Sequence, residues 1–239
     1  VTLTPATSRE SSGAPAPFGD PPVAPVNWYD GDDEATLTLV DALISGWTSK
    51  GSGAANAVQA TLGSRPMSLR GLSTALLAGR AAQLNSGRFM TTAAPMDDNS
   101  CTLFMAGLWL GGNGATGTLL GSSANSGIEL QAQGDGSVQV IKQNVAIAAT
   151  SGAFMTQGRS FVYGCAISPT NIVHWRNGTD EVDSNAQVFS GGGLMWIGAG
   201  GNGGRWGGVL AEVLTYDTTL DLADRALVGE YLMDKWGVA

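Results

Sequence analysis

The chain has 239 residues, of which 35 are glycine, 43% are hydrophobic and only 13% are charged. With 12 Lys and Arg against 20 Asp and Glu the net charge is −8, so no basic stripe exists to displace counterions from a nucleic-acid backbone. No apolar run approaches the ~18 residues of a membrane-spanning helix, which excludes insertion by helices and fits a chain that buries one sizeable core.

Residues 1–26, VTLTPATSRESSGAPAPFGDPPVAPV, hold six of the nine prolines and follow neither a helical nor an alternating pattern. They predict an extended arm or linker ahead of a domain spanning residues 27–239. Two uses of such a segment stay open: an unstructured leader, or an arm ordered along a neighbouring subunit through Pro15, Pro17, Phe18, Pro21 and Pro22. Val1–Asp20 lacks the basic and then apolar pattern of a signal peptide, which fits a chain made without one or a chain whose leader has been removed.

From Asn27 onward, short strand-like runs are broken by Gly, Asn and Ser, a spacing that favours an antiparallel sandwich over alternating strands and helices. The clearest runs are Cys101–Leu110, Gly127–Gln133, Ser137–Gln143, Ser160–Ser168, Ile172–Arg176, Leu194–Gly198 and Gly208–Tyr216. Gly134-Asp135-Gly136 is a hairpin signal between two of them, and Asn177-Gly178 turns the chain after another. Within Ile172–Arg176, alternation places Ile172, His174 and Arg176 on one face and Val173 and Trp175 on the other, predicting one core side and one solvent side. Cys101 and Cys165 lie in separate apolar runs with no C-x-x-C spacing, so buried thiols and a disulfide are both open. One helix is predicted near the end, with Asp221 as N-cap, Asp224 at the capping-box position, Leu227, Val228, Tyr231 and Leu232 as its apolar face, and Gly237 as its stop.

Two stretches resemble a known family. Gly207-Gly208-Val209-Leu210-Ala211-Glu212-Val213-Leu214-Thr215-Tyr216-Asp217, followed by Glu230-Tyr231-Leu232-Met233-Asp234-Lys235-Trp236-Gly237, is similar to the ending of LamG-like (concanavalin A-like) domains. Trp28-Tyr29-Asp30, Thr36-Leu37-Thr38, Trp47, Ala57-Val58-Gln59-Ala60 and Arg65-Pro66 resemble that family's opening. The resemblance implies an all-β, antiparallel jelly-roll sandwich with an extended N-terminal arm and one C-terminal helix. In such a domain Trp28, Trp47, Tyr231 and Trp236 are expected to pack between helix and sheet.

Catalytic chemistry finds little support in the residues. Glu181-Val182-Asp183 is the nearest match to the E-x-D-x-E strand of related glycosidases, but the third carboxylate is missing and a solvated loop after the Asn177-Gly178 turn is expected. His174 is the only histidine, and Gly71-Leu72-Ser73-Thr74-Ala75 is a poor imitation of a nucleophile elbow. Gly198-Ala199-Gly200-Gly201-Asn202-Gly203 fits G-x-G-x-x-G, yet a strand follows where a nucleotide site needs a helix. This loop is expected to be an inter-strand turn whose Asn202, Arg205 and Trp206 could offer an amide, a cation and a stacking face to a sugar. One His and two distant Cys cannot cage zinc. Asp30-Gly31-Asp32-Asp33-Glu34 and Asp97-Asp98-Asn99 are oxygen-rich spots where Ca²⁺ could bind, although no cofactor or resident metal is expected. Asn177-Gly178-Thr179 spells a glycosylation sequon and reads more simply as a turn.

The resemblance, taken with the acidic charge and the missing catalytic groups, implies a non-catalytic bacteriophage virion surface protein: a capsid decoration, head fibre or tail component. Its expected partners are other virion proteins gripped by the arm, further copies of itself in a homo-oligomer, and surface glycans; nucleic acid and membrane insertion are not expected. Synthesis in the host cytoplasm and residence on the virion surface follow from this reading. The alternative is a carbohydrate-binding or adhesion module of a bacterial surface protein, on the cell surface or secreted. A glycoside hydrolase has less in its favour, because no pair of carboxylates with cleft spacing is visible.

Overall fold

The computed structural model describes residues 19–70, 80–84, 87–95, 100–111, 116–124, 127–142, 145–150, 152–183, 193–201 and 203–238. The chain opens with β1 (Asn27–Asp30), β2 (Leu37–Val40), β3 (Leu43–Trp47), β4 (Ala57–Val58), β5 (Met67–Arg70) and β6 (Arg80–Leu84). Its middle holds β7 (Met90–Pro95), β8 (Cys101–Trp109), β9 (Gly117–Ser122), β10 (Ile128–Ala132), β11 (Val138–Lys142) and β12 (Val145–Ala149). Then come β13 (Ser160–Ile167), β14 (Ile172–Arg176), β15 (Thr179–Asp183), β16 (Leu194–Ile197), β17 (Gly208–Tyr216) and the helix α1 (Leu222–Trp236).

Antiparallel pairing arranges these strands in two layers. The back layer runs β17, β8, β13, β14, β15, with β1 and β6 sharing the other edge of β17 end to end. The front layer runs β2, β3, β4, β7, β16, β9, β10, β11, β12, and β5 joins the layers by pairing with β6 and touching β3. Between the layers lies a core that includes Tyr29, Trp47, Leu103, Met105, Leu120, Leu130, Val140, Phe161, Ile197 and Leu210. A second core, with Trp28, Phe104, Trp175, Leu214, Val228, Leu232 and Trp236, lies between the outer side of the back layer and α1.

The strand runs expected from alternation appear within a residue or two of their predicted ends. Asn177 and Gly178, at φ 40° and 92°, form the two-residue turn that brings Arg176 opposite Thr179. Asp135 accepts from the backbone N–H and the hydroxyl of Ser137 inside the β10–β11 hairpin, and these bonds hold its carboxyl below the usual range. Both cysteines are buried thiols outside any disulfide, on the inner face of the back layer, and burial pushes the Cys165 thiol up to about 12, so it is protonated at neutral pH.

Three expectations are corrected. Val173 and Trp175 do not face solvent, because α1 covers that side of β14 and brings Gly229 onto the Trp175 ring. Asp180 and Glu181 are not in a solvated loop: they lie in strand β15, where Asp180 pairs with Arg225 of α1 at 2.6 Å and Glu181 lies 3.3 Å from Arg176. On α1 the buried stripe is Arg225, Val228, Gly229, Leu232 and Trp236, which turns Leu227 outward at 48% exposure. The caps stand as expected, with Asp221 accepting from the Asp224 N–H and Gly237 left-handed at φ 59°.

Candidate functional site

Several of the residues that carry the family resemblance, Trp28, Asp30, Glu212, Tyr231, Lys235 and Trp236, meet at one place. β1 lies beside β17 with Asp30 opposite Glu212, and α1 crosses above them. A register shift between Leu210 and Glu212 leaves Ala211 unpaired against β8. This bulge turns Glu212 away from the inter-layer core, where Leu210 points, and toward the helix. There the Glu212 carboxylate accepts from the indole N–H of Trp28 at 2.6 Å, the indole N–H of Trp236 at 2.7 Å and the Tyr231 hydroxyl at 3.3 Å. Lys235 Nζ lies 2.9 Å from both Glu212 and Asp30, and Asp30 is also bound by Lys50 at 3.1 Å. Burial pushes the Glu212 carboxyl up, against the opposing pull of Lys235, and raises the Tyr231 phenol as well. Lys50 is raised because Asp30 and Asp33 outweigh its own desolvation.

In this cluster each charge has an opposite within bonding distance, and Glu212 and the Lys235 side chain are 0% and 4% exposed. It joins α1, β17 and β1. It also accounts for the oxygen-rich stretch after Asp30: Lys50 takes the Asp30 and Asp33 carboxylates, and Asp33 caps a short turn at Ala35. Among the described residues no group of His, Cys, Asp or Glu is arranged to hold a metal. Asp97-Asp98-Asn99 and Gly71–Ala75 lie outside the described residues.

The outer face of the front layer is different. Along β16, Met195 and Ile197 point into the core, so Leu194 and Trp196 point outward. Trp196 pairs across to Thr91 on one side and Gly121 on the other, and its half-buried ring lies 5.3 Å from that of Phe89. Val58, opposite Thr91, extends this strip at 50% exposure. The Arg205 guanidinium lies over the Phe89 ring at 4.8 Å and donates to the Gly204 carbonyl. Arg88 donates to the Arg65 carbonyl at 2.6 Å, while Arg65 donates to the carbonyls of Gln59 and Ala60. The Gln59 amide in turn binds the Phe89 carbonyl.

Beside this ledge the glycine-rich loop lies flat on the sheet. Glu129 and Gln131 project outward from β10, and the Glu129 carboxylate accepts from the Gln131 amide at 3.0 Å and the Thr118 hydroxyl at 3.3 Å. Gly200 and Gly204 rest directly on these side chains: a Cβ at Gly200 would stand 2.2 Å from the Glu129 carboxyl carbon, and one at Gly204 2.2 Å from Thr118 Oγ1. The glycines are there because the backbone must approach this closely, and the loop's far end delivers Arg205 to Phe89.

Of the residues singled out in this loop, Arg205 is half-buried on the ledge and Asn202 lies outside the described residues. Trp206 is corrected as a stacking face: alternation after Arg205 turns it inward, where it is 1% exposed with its ring 5.9 Å from Phe161. Trp47 is likewise in the inter-layer core, edge-on to Tyr29, and not beneath the helix. His174 is buried, with Nδ1 2.6 Å from the Tyr163 hydroxyl. Pro15, Pro17 and Phe18 lie outside the described residues, Pro21 is buried and Pro22 exposed. Phe89, Trp196, Arg65 and Arg88 were not expected at a site. The available signal was Trp196 itself, the out-of-phase aromatic in a strand whose neighbours Met195 and Ile197 alternate into the core.

No protein-family model matches the chain, and no curated protein sequence does either. Solved structures do resemble it. A sialidase from Trypanosoma rangeli in complex with a difluoro-KDN matches 97% of this chain at a TM-score of 0.57 and 13% identity, and this chain covers 36% of that one. The same sialidase with the inhibitor DANA gives a TM-score of 0.59 at 12% identity over 89% of this chain and 33% of that one. Domain 4 of AbnA, a GH43 extracellular arabinanase from Geobacillus stearothermophilus, in complex with arabinotriose, gives a TM-score of 0.59 at 15% identity over 86% of this chain and 98% of the domain. The chain therefore spans about a third of the sialidases' length and nearly all of the arabinanase domain, and what it shares with them is the fold, an antiparallel β-sandwich of concanavalin-like type.

Proposed function

We propose that this chain is a non-catalytic carbohydrate-binding module that holds glycans on the outer face of its front layer. The observation that carries this reading is the Phe89–Trp196 pair: two half-buried aromatic rings in contact on an outward sheet face, next to Thr91 and capped by Arg205. Aromatic faces held rigid beside a few polar groups suit the apolar faces and hydroxyls of sugar rings. The arabinanase domain of similar fold, whose structure contains arabinotriose, supports the same reading. The buried carboxylates are engaged otherwise, Asp30 by Lys50 and Lys235, Glu212 by two indoles and Lys235, and Glu129 by Thr118 and Gln131.

The test is a glycan array probed with the purified chain and with Trp196→Ala. Retention of at least one glycan class by the parent, and its loss in the variant, is the expected result. Retention of none, or retention unaffected by the substitution, overturns the reading. A finer proposal places this module on the surface of a bacteriophage virion, with residues 1–26 gripping capsid or tail proteins and the sandwich displayed as a homo-oligomer. It rests on the proline-rich segment, the acidic charge and the LamG-like motifs. Co-sedimentation with the particle, lost when residues 1–26 are deleted, would support it; a free monomer in both forms would overturn it and favour a module of a bacterial surface protein.

A further inference from the structure

Resting on the carbohydrate-binding reading, we infer that the ledge is selective for acidic glycans, with Arg65, Arg88 and Arg205 recognising a sugar carboxylate or sulfate beside the Phe89 and Trp196 rings. The inference comes from where the chain's cations are neutralised. Lys50, Lys235, Arg176 and Arg225 each lie within 3.3 Å of a carboxylate. Arg65, Arg88 and Arg205 are arranged otherwise: their bonds go to the carbonyls of Gln59, Ala60, Arg65 and Gly204, and the Arg205 guanidinium covers Phe89. Among the described residues none of these three is paired with a carboxylate.

In a molecule of net charge −8, three half-buried arginines that bond to carbonyls, in segments linked to Phe89, bring positive charge to this part of the front layer. Phe89 is the common point: it follows Arg88 in sequence, lies under Arg205, and has its carbonyl held by Gln59, whose own carbonyl receives Arg65. The carbonyl bonds use only part of each guanidinium's five donors and fix its position, which leaves N–H groups preorganised for an oxyanion. Arginine's planar fork matches a carboxylate or a sulfate edge, and an adjacent ring pair receives the sugar face, so one ligand satisfies both halves of the site. A neutral sugar would leave the remaining guanidinium N–H groups to water.

The experiment is binding of the full chain to matched pairs of oligosaccharides: hexagalacturonate and its methyl ester, sialyllactose and lactose, sulfated and desulfated chondroitin hexasaccharide. Binding is measured by calorimetry at two salt concentrations. The expected result is that at least one acidic member binds about tenfold or more tightly than its neutral partner, with the preference shrinking as salt rises. Arg205→Gln and Arg88→Gln should each remove most of that preference, Arg205→Lys should restore part of it, and Arg159→Gln, an exposed arginine outside this cluster, should leave it intact. Equal binding of both members of every pair overturns the selectivity and leaves the carbohydrate-binding reading standing. Binding of no member, with no glycan retained on the array, overturns both. Circular dichroism of each variant separates a lost contact from a lost fold, and if Arg88→Gln unfolds the chain, Arg205→Gln alone decides.

Discussion

Two charged regions of this sandwich use the same side chains to opposite ends. Around Glu212, behind the back layer, Asp30, Lys50 and Lys235 are matched cation to anion and closed over by Trp28 and Trp236. Around Phe89, on the front layer, arginines are held by backbone carbonyls and keep donors in hand. A buried charge left unmatched costs several kcal/mol, so the first region must be complete in the free protein. Half-exposed arginines are still hydrated and can wait for a partner. Completeness marks architecture here, and on the proposed reading the unfilled remainder marks the binding surface.

The sharpest way to break the contrast is Lys235→Met. It leaves Glu212 and Asp30 facing each other without their shared cation and should lower unfolding free energy by about 3–5 kcal/mol in a urea titration. A loss below about 1 kcal/mol would mean that the back network does not hold helix to sheet. Next in size is Gly229→Ala. Its Cβ would stand 2.1 Å from the Trp175 ring, so a cost of about 1–3 kcal/mol is expected even though alanine favours helices by about 1 kcal/mol. A stabilised variant would show that the helix rides more loosely on the sheet than this contact requires.

The pH response sharpens the same contrast. Burial raises the Glu212 carboxyl, so the folded state holds that proton more tightly than the unfolded chain does. The resulting stability is present below the ordinary glutamate range, about 4.3, and is lost as pH rises through the raised folded value. Compared with Glu212→Gln, the parent should therefore lose stability as pH rises above the ordinary glutamate range of about 4.3, read as a falling difference in denaturation midpoints. A difference that grows over this range would put the Lys235 attraction above desolvation. Smallest of all is the stability effect of Arg205→Gln, within about 0.5 kcal/mol by thermal or chemical denaturation, as befits a half-exposed side chain. A larger loss would make the front arginines structural and erase the distinction.

The sequence made the first region legible and hid most of the second. Trp28, Asp30, Glu212, Tyr231, Lys235 and Trp236 fall inside two short motifs, and the strand runs follow from alternation that the layered fold respects. What alternation could not supply was which sheet faces are covered twice. Helix α1 removes Val173 and Trp175 from solvent, the bulge at Ala211 re-aims Glu212, and Trp47 and Trp206 point between the layers. The front ledge draws Arg65, Arg88, Phe89, Trp196 and Arg205 from four separate segments, and no local pattern links them. They become one surface only through the pairing of β7 with β16 and the loop that folds back over β9 and β10.

The segment entering β1 has a consequence for display. Val23 packs into the core beneath the helix and its carbonyl accepts from the Tyr216 hydroxyl, while the Val26 N–H binds the Thr215 carbonyl. This segment therefore lies along the edge of β17 and against the helix-side core, whereas the arginine–aromatic ledge is on the outer face of the front layer. Residues 19–26 and the ledge thus belong to different layers of the sandwich. On the proposed reading, copies held together through that segment would keep their ledges free of the attachment, and several ledges meeting one glycan surface would add their contacts.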